Sequence, residues 1–470
     1  MSIPFPETPF FTGNYAPVTF EADAPDLPLH GELPKDLAGT LYRNGPNPHF
    51  APRDANHHWF VGDGMIHAFN IADGRVSYRN RWVRTPKWEA ENAAHKALFG
   101  SWGNPATTDP SVLGKDGGVA NTNIVWHAGR LFALEEGHRP FTLDPESLAA
   151  RGYCDFDGAF KGARFTAHPK IDPETGEMIF FAYSANGWFS PTLGYGVIDK
   201  TGKLVRYDQF DAPYASMVHD FMVTRNYVLF PVMPLTGSMQ RAMAGKPAYA
   251  WEADKRAYVG VMKRDVGVAS VRWFECDPCY VFHPMNAYED GDRIIGDVMQ
   301  YAAAPLFPDP NGRPGDPEKA VAQLTRWTFD LAANTNSFKR EAIDDLSAEF
   351  PRLDERLAGL DYRHGYFAAS SNRKDLDFFD TLAHVDLKAG KRTVFQFPAG
   401  DAVSEPIFVA RGERAPEGDG YLLATVYRGA EHRSDLAVFD ATGLERGPLA
   451  VAELSTRVPF GFHGNWRPAA

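Results

Sequence analysis

Ile171-Asp172-Pro173-Glu174-Thr175-Gly176 is the clearest copy of a turn that recurs along the whole chain of 470 residues. In each copy an acidic residue follows an apolar one, and a glycine comes shortly afterwards. The aspartate can accept hydrogen bonds from nearby backbone N–H groups and the glycine can adopt a positive φ, as tight β-hairpin turns require. The other copies are Ala72-Asp73-Gly74, Ile198-Asp199-Lys200-Thr201-Gly202, Asp386-Leu387-Lys388-Ala389-Gly390 and Phe439-Asp440-Ala441-Thr442-Gly443. Hairpins this frequent predict an all-β protein.

Short apolar or alternating stretches lie between these turns and predict β-strands. The clearest are Gly39–Tyr42, Leu131–Leu134, Met178–Ala182, Tyr227–Val232, Arg293–Met299, Gly420–Val426 and Leu436–Phe439. Hairpins repeated over a whole chain are typical of a β-propeller, and seven blades would have roughly 67 residues each, enough for four strands and long loops. We therefore predict one propeller domain over residues 1–470, with residues 1–27 as an N-terminal extension. Two stretches, Trp88–Phe99 and Glu318–Arg326, are predicted to be helical.

Charge and cysteine content exclude several classes of function. The chain has 48 basic and 60 acidic residues, a net charge of −12, and this balance argues against nucleic-acid binding. Its three cysteines, Cys154, Cys276 and Cys279, are too few for a disulfide framework and suit a reducing compartment. The N-terminus lacks a signal-peptide pattern, and no apolar run is long enough to span a bilayer. We expect a cytoplasmic protein without a transmembrane segment.

The segment Cys276-Asp277-Pro278-Cys279 has the spacing of half a zinc site or of a redox pair. The chain contains no second cysteine pair that would complete a zinc site, and Pro278 stiffens the turn. We therefore interpret the two cysteines as part of a structural turn.

Four histidines share a local sequence context. In each case apolar residues precede the histidine and a small or polar residue follows it, as expected at the inner end of a blade's first strand. They are His168, His219, His283 and His463, separated by 51, 64 and 180 residues. A propeller axis brings together residues that are far apart in sequence, and several imidazoles together suit iron, zinc, copper or nickel. By spacing alone, four separately buried histidines remain the simpler interpretation.

Three glutamates stand in apolar contexts where a carboxylate is unusual unless it is paired. They are Glu136, Glu349 and Glu405. A metal-bound imidazole normally donates its other N–H group to a carboxylate or a carbonyl, which fixes the orientation of the ring. The glutamates therefore support a metal site as a set, although each alone could be a surface residue.

Several motifs, in order along the chain, resemble the carotenoid cleavage oxygenase family from about residue 28 to the end. They are Phe60-Val61-Gly62-Asp63-Gly64-Met65, the segment Ala133–Pro145, Thr166-Ala167-His168-Pro169-Lys170, Val218-His219-Asp220-Phe221, His283 with Asn286-Ala287, Glu349-Phe350-Pro351, Glu405-Pro406-Ile407-Phe408-Val409, Glu417-Gly418-Asp419-Gly420-Tyr421 and His463-Gly464. The resemblance implies a seven-bladed propeller with a loop and helix dome over one face. It also implies Fe(II) on the axis, held by His168, His219, His283 and His463 and supported by Glu136, Glu349 and Glu405.

Other stretches look most like the bacterial branch of the family that acts on phenylpropanoids such as lignostilbene and isoeugenol. They include Arg81–Lys87, Lys96–Gly100 and Ala120-Asn121-Thr122. Members of that branch typically bind the substrate's 4-hydroxyl group with a tyrosine and a lysine, but these positions here hold Trp102 and Glu135. Phe60 matches an aromatic residue that packs on the substrate ring. Glu135 could instead be a solvated or salt-bridged residue, and Phe60 a core residue before a turn.

The resemblance implies a dioxygenase that cleaves the double bond of an aryl alkene with O₂, giving two carbonyl products. Stilbenes, isoeugenol-like propenylphenols and vinylphenols are the expected substrates. The alternatives are cleavage of an apocarotenoid, isomerisation without incorporation of O₂, and a catalytically silent propeller that only binds ligands or proteins.

Overall fold

The computed structural model describes residues 4–54, 57–100, 105–371 and 379–469. Two compact units are distinguished: Met1–Asp155 with Phe397–Ala470, here called unit 1, and Phe156–Gln396, here called unit 2. The prediction of a single domain stays a prediction. None of the helices in the described ranges is long and apolar enough to cross a membrane.

Among the described residues, the N-terminal part of unit 1 has nine strands. They are β1 (Ala22–Ala24), β2 (Leu29–Gly31), β3 (Gly39–Pro46), β4 (Gly64–Ala72), β5 (Arg75–Trp82), β6 (Asn123–His127), β7 (Arg130–Leu134), β8 (Phe141–Leu143) and β9 (Ala150–Tyr153). The C-terminal part adds six more. We number them after the strands of unit 2 as β28 (Ala402–Val403), β29 (Ile407–Ala410), β30 (Gly420–Arg428), β31 (Arg433–Asp440), β32 (Ala450–Leu454) and β33 (Gly464–Pro468).

Unit 2 contains the strands β10 to β27. They are β10 (Lys170–Ile171), β11 (Met178–Ala182), β12 (Thr192–Ile198), β13 (Leu204–Asp211), β14 (Met222–Val223), β15 (Tyr227–Val232), β16 (Leu235–Gly237), β17 (Tyr249–Trp251), β18 (Ala257–Lys263), β19 (Arg272–Cys276), β20 (Tyr280–Asp290), β21 (Arg293–Tyr301), β22 (Ala322–Asp330), β23 (Lys339–Ala342), β24 (Ser347–Leu353), β25 (His364–Ser370), β26 (Thr381–Asp386) and β27 (Lys391–Gln396).

Helices are few in the described part of the chain. The two α-helices are α1 (Pro86–Ala94) in unit 1 and α2 (Met239–Met243) in unit 2. Single 3-10 turns occur at Pro9–Phe11, Gly13–Tyr15, Trp59–Val61, Pro105–Thr107, Pro110–Val112, Val268–Ser270, Pro317–Lys319, Glu355–Leu357 and Leu444–Arg446.

Within the described ranges, the strands form seven antiparallel sheets of four to six strands and one separate hairpin, β16–β17. Unit 1 holds three of the sheets, in the orders β1-β5-β4-β3-β33, β6-β7-β8-β9 and β2-β32-β31-β30-β28, with β29 also paired to β30. Unit 2 holds the other four, in the orders β10-β11-β12-β13, β14-β15-β18-β19, β20-β21-β22-β23 and β24-β25-β26-β27. Seven such sheets agree with the predicted number of blades.

The strand predictions are confirmed, because each of the seven predicted stretches lies inside an observed strand. Four of the five turns are also tight, with Gly74, Gly176, Gly202 and Gly390 at φ between 61° and 86°. The turn after Asp440 differs. Gly443 has a φ of −131°, and the chain passes through the 3-10 turn Leu444–Arg446 before β32 begins.

One of the two predicted helices is confirmed in part, and the other is not. The stretch Trp88–Phe99 contains most of α1, which starts at Pro86 and ends at Ala94, because the next residue, His95, has a φ of +51°. The prediction of a helix at Glu318–Arg326 was wrong, because residues Ala322–Asp330 form β22. This is a central strand that pairs with both β21 and β23. Threonine and aromatic side chains alternate in its second half, and this β pattern outweighs the helix-forming residues before it.

Candidate metal centre

Three of the four predicted histidine ligands lie in unit 2, each at an edge strand of a different sheet. His168 lies two residues before β10, His219 lies three residues before β14, and His283 lies inside β20. Each of these strands is the first in its sheet and pairs with a partner on one side only. An edge strand leaves the backbone free to turn away from the ladder, so the side chain at its end can leave the plane of the sheet.

The Nε2 atoms of the three rings meet. His168 Nε2 lies 3.0 Å from His219 Nε2, which lies 3.1 Å from His283 Nε2. One ring nitrogen carries at most one proton, so His219 cannot donate to both neighbours at once. Two nitrogens bound at right angles to one ion, each at about 2.1 Å, would lie about 3.0 Å apart. The observed spacing therefore fits neighbouring ligands of a single transition-metal ion.

Glu349 fixes the tautomer of His283. The Nδ1–H group of His283 donates to Glu349 Oε2 at 2.5 Å, which leaves the lone pair of Nε2 directed at the other histidines. Glu349 is buried, and its other contacts hold it in turn: the Tyr301 hydroxyl donates to Oε1 at 2.9 Å and the Phe350 N–H group to Oε2 at 2.7 Å. This arrangement orients the ring of His283 so that Nε2 can serve as a metal ligand.

The backbone around these residues is irregular. The pairing of β20 with β21 shifts register at Val281/Pro284 and again at Pro284/Asn286, and that of β24 with β25 shifts at Glu349/Arg352. Phe350 has a φ of +55°, which is uncommon for a bulky residue. Its ring stacks on His283 with the centroids 5.4 Å apart. The bulges thus redirect His283 and Glu349 toward one another, as bulges near active sites do.

His168 has a different environment. Its backbone N–H donates to Thr166 Oγ1 at 2.9 Å, and its Nδ1 lies 3.7 Å from a carboxylate oxygen of the buried Asp220. Lys170 donates to Asp220 Oδ2 at 3.0 Å and lies 2.8 Å from Oδ1, so the charge of this carboxylate is paired with that of a lysine. Asp220 therefore adds little net negative charge beside the three histidines.

His463, the fourth predicted ligand, lies in unit 1 immediately before the edge strand β33. Its Nδ1–H group donates to Glu405 Oε1 at 2.9 Å, while the Gly464 N–H group donates to Oε2 at 2.9 Å. Arg43 lies 3.4 Å from Oε2 and donates to the Phe462 carbonyl oxygen at 3.0 Å. His463 and Glu405 thus repeat, in unit 1, the pairing of His283 with Glu349 in unit 2.

The other predicted site residues also belong to unit 1, except that Trp102 lies outside the described residues. Glu136 follows β7 and is half-buried. Phe60 lies in the 3-10 turn Trp59–Val61, where its ring centroid is 4.5 Å from that of His58 and 5.4 Å from that of Phe462. Phe60 is half-buried and belongs to an aromatic cluster with His58 and Phe462.

Glu135 is held by neighbouring polar groups. Its Oε1 atom accepts from the N–H groups of Val119 and Ala120, at 2.8 and 3.2 Å, and lies 3.0 Å from His138 Nδ1. Burial raises the pKa of Glu135, but His138 and the two N–H groups outweigh burial and leave the pKa below its ordinary value. Glu135 is therefore an ionised acceptor.

Some supporting residues could not be predicted from the sequence. Tyr301 holds Glu349 although 48 residues separate them, and Arg43 contacts Glu405 across 362 residues. Neither residue lies in a recognisable motif. Only the strand pairing places them at the site.

Comparison with known proteins supports this description. The family model of the retinal pigment epithelial membrane protein matches residues 15–468. The chain is 40% identical to an isoeugenol monooxygenase of Pseudomonas nitroreducens, over 98% of each chain. It is 38% identical to lignostilbene-α,β-dioxygenase isozyme III of Sphingomonas paucimobilis, over 99% of this chain and 98% of that protein.

The structure is similar to the crystal structure of the lignostilbene dioxygenase of Pseudomonas brassicacearum, with a TM-score of 0.96 and 36% identity over 100% of both chains. Together with the seven sheets, this similarity confirms the predicted all-β, seven-bladed β-propeller. The predicted resemblance to the phenylpropanoid branch is confirmed as well, because these relatives align with nearly the whole chain.

Proposed function

The chain belongs to the family of the retinal pigment epithelial membrane protein, the carotenoid cleavage oxygenases, and we propose that it cleaves the carbon–carbon double bond of an aryl alkene with O₂. The net reaction joins one oxygen atom to each alkene carbon and gives two carbonyl products, so no reductant is consumed. Stilbenes, isoeugenol-like propenylphenols and vinylphenols are the proposed substrates. The observation that carries the proposal is the convergence of the three Nε2 atoms of His168, His219 and His283.

The proposed cofactor is Fe(II), held by His168, His219 and His283 with His463 as the fourth ligand. Imidazole nitrogen is a good ligand for iron, and a ligand set without carboxylates leaves the ion its full positive charge. Bound at these nitrogens, iron(II) would supply the electron transfer that activates O₂. His463 is proposed because a glutamate fixes its tautomer in the same way as that of His283.

The protein's own contribution is to keep the ligands neutral and oriented. A protonated imidazole has no lone pair for a metal, so each ring must keep its single proton on Nδ1. Glu349 and Glu405 accept that proton's hydrogen bond from His283 and His463. We assign Glu136 the same role toward another ligand. The three carboxylates would also offset the charge of the ion from behind the rings.

Apolar rings next to the histidines limit the access of water. The ring of Phe282 meets His219 edge-on with the centroids 5.2 Å apart, and Phe350 stacks on His283. A dry wall strengthens the electrostatic interactions at the site and protects reactive species from water. Phe282 and Phe350 therefore shape the volume in which alkene and O₂ would meet.

Phe60, Trp102 and Glu135 are the proposed contacts of the substrate's aryl end. Phe60 offers an aromatic face, and the ionised Glu135 can accept a hydrogen bond from a neutral phenol but cannot stabilise a phenolate. The hydroxyl would therefore bind as O–H, in contrast to recognition by a lysine.

Product analysis with labelled O₂ tests the reaction. Protein purified without oxygen and loaded with Fe(II) is given a panel of hydroxystilbenes, propenylphenols and vinylphenols. We expect two carbonyl products, with label in both when exchange with water is controlled. Lack of turnover of every phenolic alkene, together with cleavage of an apocarotenal, would replace the aryl alkene by an apocarotenoid. A product of unchanged mass would indicate isomerisation.

A matched pair of variants links the activity to the histidine cluster. His283→Ala should abolish both activity and stoichiometric iron binding. His30→Ala, at an exposed position of unit 1 with 69% of the side chain accessible, should change neither. Full activity of the His283→Ala protein would refute the metal assignment.

The role of Glu135 is tested with a phenol and its O-methyl ether. Glu135→Gln keeps an oxygen for the N–H groups of Val119 and Ala120, but removes the negative charge. If Glu135 accepts the phenol O–H, the KM of the phenol should rise and that of the ether should not. Equal changes in the KM of the phenol and of the ether would mean that the substrate's phenol group does not bind at Glu135.

A further inference from the structure

Cys276 and Cys279 form a close pair in unit 2 that the proposed reaction does not use. Cys276 is the last residue of β19, and Cys279 immediately precedes β20. Their Sγ atoms are 3.9 Å apart. A disulfide has a bond of about 2.05 Å, so the two sulfurs need to approach by about 2 Å. Rotation of the two cysteine side chains, which flank a turn between two strands, can bring the sulfurs this much closer.

The turn that joins the two cysteines is exposed and held by cations. Arg256 binds the Asp277 carboxylate at 2.5 Å, and the side chain of Asp277 is 78% exposed. Arg340 Nη1 donates to the Asp277 carbonyl oxygen at 3.5 Å. Cys276 is 6% exposed and Cys279 only 1%, so Cys276 is the more accessible residue of this buried pair.

The two thiols differ in acidity. A hydrogen bond from Cys279 lowers the pKa of the Cys276 thiol, and Arg340 and Arg256 lower it further against the opposing effect of burial. The same hydrogen bond, together with burial, raises the pKa of Cys279 well above its ordinary value. Cys276 is thus the sulfur that ionises first, and Cys279 is held next to it as a thiol.

We propose that Cys276 and Cys279 are a peroxide-reactive dithiol, in which Cys276 is the attacking sulfur and Cys279 the resolving one. The Cys276 thiolate attacks one oxygen of hydrogen peroxide, the O–O bond breaks, and the departing hydroxide takes up a proton as water. Cys279 then attacks the sulfenic acid on Cys276, forms the S–S bond and expels the second water, which carries the proton of Cys279. Two thiols are oxidised and one peroxide is reduced to two waters.

The third cysteine provides an internal control. Cys154 lies in unit 1, is also buried at 9% exposure and has no cysteine near it in sequence. A general oxidation of buried thiols would affect Cys154 as well, whereas a dithiol reaction would leave it unchanged.

The experiment treats the full-length protein with hydrogen peroxide, removes the excess with catalase, alkylates it in denaturant and measures the cysteine peptides by mass spectrometry. We expect the peptide with Cys276 and Cys279 to lose two hydrogen atoms and escape alkylation. Dithiothreitol should restore both thiols, and Cys154 should stay fully alkylated. Cys279→Ser should stop at a sulfenic acid on Cys276 that dimedone traps, and Cys154→Ser should behave as the unaltered protein.

Three results would overturn the proposal. The first is full alkylation of both cysteines after a peroxide excess. The second is a Cys276→Ser protein in which Cys279 is oxidised as fast as in the unaltered protein. The third is a pair already blocked before peroxide and released by a chelator, which would make the sulfurs ligands of a soft metal. The first and third are read on the unaltered protein and do not require the variants to fold.

Discussion

Glu349 is a buried carboxylate with three hydrogen-bond donors, one of which is the ring of His283. Glu349→Gln replaces a charged acceptor by an amide that can present an N–H group to His283 and so favour the wrong tautomer. Mutation of a residue that hydrogen-bonds a metal-binding histidine usually lowers metal affinity by about 10- to 100-fold, so the affinity for Fe(II) should fall by that factor. Titration of the metal-free protein with iron under anaerobic conditions measures the change.

Glu341→Gln is the matched control, because Glu341 lies on β23 of the same unit, 48% exposed and paired with Lys339. The iron affinity of the Glu341→Gln protein should equal that of the unaltered protein. An unchanged affinity of the Glu349→Gln protein would show that the hydrogen bond to His283 does not control the metal.

At the scale of residues, groups that lie in motifs could be singled out from the sequence as candidates. Glu349 and Glu405 were predicted as partners of ligands, and the structure pairs them with His283 and His463. Tyr301 was not predicted, since its role depends on β21 lying beside β20 and close to β24. Side chains that act through a neighbouring strand leave no signal in their own segment.

At the scale of elements, α1 is held to the rest of unit 1 by a buried lysine. Lys87 binds Asp63 at 2.6 Å and Glu91 at 2.8 Å, and all three side chains are at most 10% exposed. Burial lowers the pKa of Lys87, but the two carboxylates outweigh burial and raise the pKa above its usual value. Lys87→Met would leave two buried carboxylates without a cation, which should cost about 3–5 kcal/mol of unfolding free energy. Denaturant unfolding measures this loss.

Lys96→Met provides the comparison, because Lys96 is 57% exposed and lies 3.9 Å from Asp109. Its effect should stay within about 0.5 kcal/mol. Adding Glu91→Gln to Lys87→Met should recover part of the loss, since one uncompensated charge disappears. Equal stabilities of the two lysine variants would contradict an essential role of the buried cluster.

Strands and helices could be predicted where the residues at their ends are typical of tight turns. Asp172 accepts from the N–H groups of Glu174 and Thr175, and Gly176 has a φ of +73°, so the β10–β11 hairpin is encoded locally. The segment Glu318–Arg326 begins in the 3-10 turn Pro317–Lys319, where the Asp316 side chain accepts from the Glu318 N–H group, as at the start of a helix. Its helix-forming residues suggested a helix, and only pairing with β21 and β23 makes it a strand.

At the scale of the whole molecule, stability against acid depends on buried neutral histidines. Burial, assisted by Arg43 and Arg457, lowers the pKa of His67 to about 3. The unfolded chain therefore binds a proton at this position between about pH 6.5 and 3, where the folded chain does not. This contribution is fully present above pH 6.5 and is lost as the pH falls through that window.

His67→Asn keeps a polar atom near Nδ1, which lies 2.7 Å from the Tyr78 hydroxyl, but removes the titration. The variant should lose a constant amount of unfolding free energy near neutral pH, and its stability should fall less steeply below pH 6.5. Between about pH 6.5 and 3, the unaltered protein should lose a few kcal/mol more unfolding free energy than the variant. His30→Asn, at an exposed position, is the comparison variant, and the change in slope should be larger for His67→Asn. Parallel curves for His67→Asn would refute the prediction.

The two ends of the chain meet in one sheet, and the sequence could not show this. β33 pairs with β3, residue for residue from Gly39 with Pro468 to Arg43 with Gly464. The neighbouring sheet joins β2 to β32 in the same manner. Neither pairing has a local marker, because the partners are more than 400 residues apart. Closing so long a loop costs conformational entropy, which the native contacts of these strands must offset.

Trp466 on β33 tests how much this pairing stabilises the molecule. It lies opposite Leu41 and packs against an apolar cluster of unit 1 that includes Leu41, Phe69 and Leu423. Because Trp466 is only half-buried, Trp466→Ala should cost about 2 kcal/mol, less than the loss at a fully buried tryptophan. Trp188→Ala is the matched control at 55% exposure and should cost less than about 1 kcal/mol. Equal losses in denaturant unfolding would mean that β33 contributes no more than a surface segment, and the joining of the chain ends would then not be a source of stability.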